Sequence, residues 1–130
     1  MFEKLSTNDE AYSFLIFKNE NTVFIGELNI SNIQRGIIQS CSIGYWIAKK
    51  YEGLGMMSES LELIKSFIFH QLKLHRIEAA CLPHNSPSLK VLLKNGFKIE
   101  GTARKLLKIN NKWQDHTVFS YLYEDYKNLK

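Results

Sequence analysis

The sequence predicts an α/β (α+β) fold, a mixed and mostly antiparallel central sheet flanked by helices. Three observations carry this. Strand signals separated by polar turns fill the first third of the chain. Met57, Leu61, Ile64, Ile68 and Leu72 then recur in steps of four, three, four and four, the period of a helix with one buried face. A long hairpin closes the chain around Asn110-Asn111-Lys112. The order is strand, strand, strand, helix, strand, helix, strand, strand. Hairpins followed by strand–helix–strand crossovers give a layered sheet in a single domain spanning residues 1–130.

Each element has a local reason. Residues 1–11 are mixed and polar and read as the last turn of a helix or a loose terminus. Tyr12 to Phe17 is an aromatic-rich strand. Lys18-Asn19-Glu20-Asn21 is a turn cluster, and Thr22 to Ile30 is the second strand of a hairpin. Ser31 to Gly36 reads as a loop. Ile37 to Ile47 is the third strand, with Gly44 as a bulge or close-approach point. The main helix begins near Met56. His75 to Leu82 is short and apolar inside, hence a central strand. Pro83-His84-Asn85-Ser86-Pro87 breaks the chain and starts a helix that Ser86 caps, with Pro87 at its first position. That helix buries Leu89, Leu92 and Leu93, and Gly96 ends it in a left-handed conformation. Phe97 to Ile109 and Trp113 to Tyr123 form the final hairpin, followed by a polar tail.

The bulk properties narrow the function. The chain carries a net charge of +4, which suits an anionic ligand. Its lysines are spread, without a dense basic tract or aromatic interleaving, so direct nucleic-acid binding is not expected. Cys41 and Cys81 are far apart and lack CxxC partners, so both read as buried reduced thiols. Glu3 and Asn8-Asp9-Glu10 interrupt any leading apolar run, and no segment reaches the ~20 apolar residues of a membrane span. A cytoplasmic protein without membrane association is expected. No metal-ligand cluster or Cys/His nucleophile pair stands out.

One stretch carries chemistry. A strand ends at Ile47, Lys49 and Lys50 follow, Gly53-Leu54-Gly55 forms a turn, and the helix begins. Glycines let the backbone approach a ligand, and the first amides of a helix lack internal partners at the positive end of its dipole. Such a turn holds an anion, most readily phosphate or pyrophosphate. Gly-x-Gly alone is weak evidence, and two glycines that merely join a strand to a helix are the competing reading. The turn lacks the Gly-Lys-Ser/Thr of a P-loop and the GxGxxG of a dinucleotide fold. The remaining common user of this geometry is the pyrophosphate of coenzyme A.

The same residues resemble the GNAT N-acetyltransferase superfamily, and within it the RimJ/RimL branch of ribosomal-protein-alanine N-acetyltransferases. Three matches carry the resemblance over roughly residues 23–122. The first is Gly44-Tyr45-Trp46-Ile47 with Glu52-Gly53-Leu54-Gly55-Met56-Met57-Ser58-Glu59. The second is His75-Arg76-Ile77 leading to Pro83-His84-Asn85 and Ser88. The third is Asn95-Gly96-Phe97 and Glu100-Gly101, then Trp113-Gln114-Asp115-His116.

The resemblance implies acetyl-CoA as donor and an amine as acceptor, either a protein N-terminus, with a ribosomal protein's alanine as the specific case, or a small-molecule amine. Backbone amides around Lys50, Gly53, Leu54, Gly55 and Met56 would hold the pyrophosphate. The strand end at Trp46-Ile47 would splay from its neighbour to admit pantetheine, and the amide near Ile47 would polarise the thioester carbonyl. Asn85 would bind the pantetheine arm. Ser88 would protonate the leaving thiolate, and Tyr45 would line the acceptor pocket. Glu27 and His116 are the candidate bases. Competing readings remain at each position: Glu27 as a solvent-facing carboxylate, His116 as a structural histidine, Asn85 as a turn residue, and Ser86 or Ser88 as a cap.

The chain departs from the family pattern in two ways that matter. Lys50 stands where Arg or Gln is frequent, which keeps the charge. The usual first strand and helices are lacking before Tyr12, as in an N-terminally truncated member. An uncovered sheet edge of that kind invites homodimerisation. A catalytically silent domain that binds acyl-CoA or another protein is therefore the rival to an enzyme.

Overall fold

The computed structural model describes residues 2–4, 11–18 and 23–129. Among these residues seven strands form one sheet in the order β1-β2-β3-β4-β5-β7-β6. They are β1 (Phe2–Lys4), β2 (Tyr12–Lys18), β3 (Val23–Gln34), β4 (Ser40–Ile47), β5 (Arg76–Cys81), β6 (Lys98–Ile109) and β7 (Lys112–Leu122). Among the described residues three α-helices accompany the sheet: α1 (Met56–Ser66), α2 (Ser86–Lys94) and α3 (Tyr123–Leu129). All strand pairings are antiparallel except β4 with β5, the pair that α1 connects. The mixed, mostly antiparallel sheet expected from the sequence is present.

The helices pack on one face of the sheet, and register shows why. Phe14 pairs with Leu28, Ile30 with Ile43, Cys41 with Ile77, and Ala79 with Phe119. Every one of these residues is buried and belongs to one cluster with the α1 stripe, Leu92 of α2 and Tyr126 of α3. The stripe Met57, Leu61, Ile64, Ile68 and Leu72 is buried throughout. Past Ser66 the helix widens into a π turn, Phe67–Gln71, and the Leu72 amide donates to the Phe67 carbonyl at 3.0 Å. Phe67 meets Tyr12 and Phe14 edge-on, at 5.2 and 5.4 Å between ring centres.

Several elements differ from the sequence expectation. Residues 2–4 form a strand rather than a helical turn, pairing Phe2 with Ile16. Of the expected turn Lys18–Asn21, residues 19–21 lie outside the described residues. Ser31 to Gln34 extends β3, and β4 begins only at Ser40. Gly44 is not a bulge: it pairs in register with Asn29, and the register shift falls between Ser31 and Gln34. The α2 cap is Asn85, whose Oδ1 accepts the Ser88 amide at 3.4 Å, so Ser86 and Pro87 lie inside the first turn. Leu93 is exposed, because the buried side of this short helix is set by Leu92. The tail is helical, docked by Tyr126 against Phe69 with ring centres 5.1 Å apart.

The helix end at Gly96 and the final turn match the sequence. Gly96 has φ +87°, with Phe97 N donating to Leu92 O and Gly96 N to Leu93 O. That is the paired bonding of a Schellman stop. Asn110 and Asn111 have φ of 51° and 65°, the double left-handed turn that suits a twisted two-residue hairpin.

Both cysteines are buried and free. Burial pushes the Cys41 thiol from an ordinary 9.0 up to about 12 and the Tyr45 hydroxyl from 10.0 up to about 12. The unfolded chain therefore releases these protons at lower pH than the folded chain does. Above pH 9 the folded state binds more protons, so stability falls as pH rises. Urea unfolding should show full stability from these groups below pH 9 and a decline from there towards pH 12. A flat profile between pH 9 and 11 would contradict this burial.

Candidate active site

The site begins where two strands stop pairing. β4 runs parallel to β5 from Ser40–Arg76 only as far as Ile43–Ala79. Against β3, however, β4 stays paired out to Ile47, opposite Gly26. Residues 44–47 therefore have a partner on one side and a gap on the other. The ladder's phase decides which amides face that gap. The Ala48 amide donates to the Ile25 carbonyl at 2.7 Å. With this register, the peptide groups of Trp46 face β3, and the amides of Tyr45 and Ile47 face away from it.

A cavity of about 530 Å³ opens at this gap. Tyr45, Trp46 and Ile47 line it from β4, Gly53 and Gly55 from the turn, Asn85 from the α2 cap and Ser88 from α2. Thus seven of the residues singled out in the sequence come together. The cavity wall does not include Lys50, Leu54 or Met56. Lys50 turns its ammonium to the Tyr51 ring, 5.5 Å from its centre, and Leu54 is exposed.

The turn suits an anion. After Ile47 a 3-10 turn at Lys49–Tyr51 leads to Gly53 and Gly55, with φ of 77° and 86°. These left-handed values favour glycine, and a Cβ on either would meet nothing within 4 Å, so the backbone lies open to the cavity. Gly55 is the N-cap of α1 and brings no side chain to cap the first amides. Their partial positive charge is left available to a ligand.

On α2, Ser88 faces β4. Its Oγ lies 3.0 Å from the Tyr45 hydroxyl. Burial raises Tyr45 to about 12, against a smaller lowering by Ser88, so the phenol stays protonated. Burial likewise raises the Cys81 thiol, against a smaller lowering by the nearby Ser88. Cys81 is thus a neutral neighbour of the hydroxyl pair and not a ready thiolate. Asn85 spends Oδ1 on the cap, while its Nδ2 makes no hydrogen bond among the described residues.

Glu27 is not beside this pair. It lies opposite Trp46 in the register, and successive strand residues point to opposite faces. Its carboxylate accepts the Trp46 indole N–H at 3.2 Å on the sheet face away from the helices. Trp46 in turn meets Phe24 edge-on at 5.6 Å. The aromatic rings and the carboxylate form a second, exposed flank of the gap.

The other histidines do not reach the cavity wall. His116 is buried and its Nδ1 donates to the Gln114 carbonyl at 3.0 Å. His75 pairs with Glu124 at 2.7 Å, and His84 is exposed. Sequence reasoning missed Ser58, Lys90 and Lys94 on the cavity wall. The four-residue spacing of Lys90 and Lys94 was the available signal. Among the described residues, no group of three His, Cys, Asp or Glu side chains is placed to hold a metal. No helix there is long and apolar enough to cross a membrane.

The chain is similar to proteins named as acetyltransferases. The model of the acetyltransferase (GNAT) domain matches residues 1–98. A probable N-acetyltransferase, YjcK of Bacillus subtilis, is 43% identical over 124 residues, covering 95% of this chain and 68% of its own length. The [ribosomal protein uS5]-alanine N-acetyltransferase of Escherichia coli is 34% identical over 118 residues, 91% of this chain and 61% of that enzyme. The solved structure of Mycobacterium smegmatis RimJ in complex with CoA-disulfide superposes with a TM-score of 0.84 at 34% identity, over 89% of this chain and 55% of that one. The chain therefore spans between about half and two thirds of the length of these proteins.

Proposed function

The chain belongs to the GNAT acetyltransferase family, and from that premise we propose that it transfers an acetyl group from acetyl-CoA to an amine. The acceptor we infer is the N-terminal α-amino group of a protein, a ribosomal protein in the specific case. What carries the reading is the gap beside residues 44–47, with two free strand amides on one side and the Tyr45–Ser88 pair against it. The relative from Escherichia coli, named for alanine acetylation of a ribosomal protein, supports the choice of acceptor.

The residues fit acetyl-CoA, which would supply the acetyl group already activated as a thioester. The open Gly53–Gly55 backbone and the uncapped first turn of α1 would hold the pyrophosphate. The free Asn85 Nδ2 would donate to the pantetheine arm. The Tyr45 and Ile47 amides would lie along that arm as a neighbouring strand does, and the Ile47 N–H would donate to the thioester carbonyl as negative charge grows there. Ser88, backed by Tyr45, would give a proton towards the sulfur side.

The amine needs less help. An α-amino group has a pKa of about 8, so a substantial fraction is neutral near neutral pH. Glu27 lies on the opposite sheet face from the hydroxyl pair, the arrangement required if amine and leaving group occupy opposite sides of the reacting carbon. There it would accept the amine's proton, directly or through water. Direct attack within a ternary complex needs only this orientation and charge stabilisation.

The test sets binding beside turnover. Wild type and Gly55→Glu are melted with and without acetyl-CoA, then incubated with peptides bearing N-terminal alanine. Ligand at 100 times its dissociation constant should stabilise wild type by about 2.7 kcal/mol. Gly55→Glu should lose this shift, since it forces a left-handed φ on a side chain and puts a carboxylate at the anion seat. Free CoA and acetyl-peptide should appear only with wild type. Binding without transfer to any amine would leave a silent acyl-CoA-binding domain in place of the enzyme.

A further inference from the structure

We propose that Lys90 and Lys94 form a second phosphate seat, which reads the 3′-phosphate on the adenosine of coenzyme A. This deepens the acetyl-CoA reading and rests on it. The two lysines are one helical turn apart on α2, and both line the cavity. Both are exposed, and neither ammonium is within ion-pair distance of a carboxylate among the described residues. Lys65 on α1, by contrast, is committed to Glu62 and to the Asn95 carbonyl. Two like charges at i and i+4 repel, and an anion between them removes that repulsion.

Position makes the cavity side meaningful. Asn95 Nδ2 donates to Ser58 Oγ at 3.0 Å, which ties the end of α2 to the first turn of α1. Lys94 therefore stands next to the anion-binding end of α1, and Lys90 stands one turn nearer Ser88. The helix dipole gives Lys94 a reason to be in the last turn, but Lys90 lies outside that turn. Coenzyme A carries two separate anionic groups, a pyrophosphate and a 3′-phosphate monoester. The glycine turn offers one seat of backbone amides. The monoester, close to a dianion at neutral pH, calls for separate cations, and two compact ammoniums on a helical wall supply them.

The experiment is a binding cycle by titration calorimetry, without an amine acceptor. Wild type, Lys90→Gln/Lys94→Gln and Lys90→Arg/Lys94→Arg are each titrated with acetyl-CoA and with its 3′-dephospho form. Wild type should prefer acetyl-CoA by about tenfold or more, the scale of one charge-assisted contact. The Gln variant should bind both forms as wild type binds the dephospho form, and the Arg variant should keep the preference. If wild type shows no preference, or if the Gln variant weakens both forms equally, the lysines do not read the 3′-phosphate. In those cases, binding of either form to wild type leaves the acetyl-CoA reading standing. A wild type that binds neither form overturns both.

Discussion

Ser88→Ala should lower kcat for acetyl transfer by about 10²-fold and leave the dissociation constant of acetyl-CoA within about threefold. The expectation follows from separating the two duties that meet at this residue. The helix cap belongs to Asn85, which receives the Ser88 backbone amide, and alanine keeps that amide. Only Oγ is lost, with its 3.0 Å contact to Tyr45. General acid help is worth about 10²- to 10⁴-fold, and a thiolate leaves readily enough to place this case at the low end. Tyr45→Phe should act in the same direction, since it removes the hydroxyl behind Ser88.

The pH profile gives a second readout of the same pair. Tyr45 is held up to about 12, so it keeps its proton across the working range. Activity should rise through the acceptor's pKa near ~8 as the amine becomes neutral. No falling limb from Tyr45 should appear below about pH 11. An unchanged kcat in Ser88→Ala, with acetyl-peptide still formed, would remove the hydroxyl from the chemistry and leave it as a packing contact.

How much of this was legible depends on the range of the interaction. Helical period exposed the α1 stripe because residues three and four apart share a face whatever lies opposite. Gly53, Gly55, Gly96 and the Asn110-Asn111 turn were legible because left-handed backbone selects glycine and asparagine locally. The strand at Phe2–Lys4 was not: three residues hold that conformation only through β2. The helix at Tyr123–Leu129 was not, because Tyr126 docking on Phe69 supplies what its polar sequence lacks. At the site, Tyr45 and Ser88 were both named, but their contact spans 43 positions and no spacing rule could pair them. Glu27 was named as well, yet its place on the far face followed only from the β3–β4 register. Lys90 and Lys94 looked like ordinary solvated charges until α1 and α2 enclosed the cavity between them.

Gly26→Ala should be strongly destabilising, whereas Gly44→Ala, on the adjoining strand, should be nearly silent. Both glycines lie inside strands, and the sequence offers no way to rank them. A Cβ on Gly26 would sit 2.4 Å from the Trp46 carbonyl oxygen and 3.1 Å from Ile47 Cα, and backbone cannot swing aside as a side-chain tip does. A Cβ on Gly44 would meet nothing within 4 Å. Gly26 is also buried, so its added methyl has no route to solvent. Overpacking of this kind costs about 1–3 kcal/mol. The strain falls on Trp46-Ile47, the segment whose amides face the gap. Any relief pushes β4 towards β5 and narrows the space for pantetheine. Urea unfolding should therefore show a lower midpoint for Gly26→Ala, and acetyl-CoA should stabilise the folded remainder weakly or not at all. Gly44→Ala should match wild type in stability and keep the ligand-induced shift. Equal stability of the two variants would mean that β3 and β4 do not approach this closely, and the geometry of the gap would have to be redrawn with them.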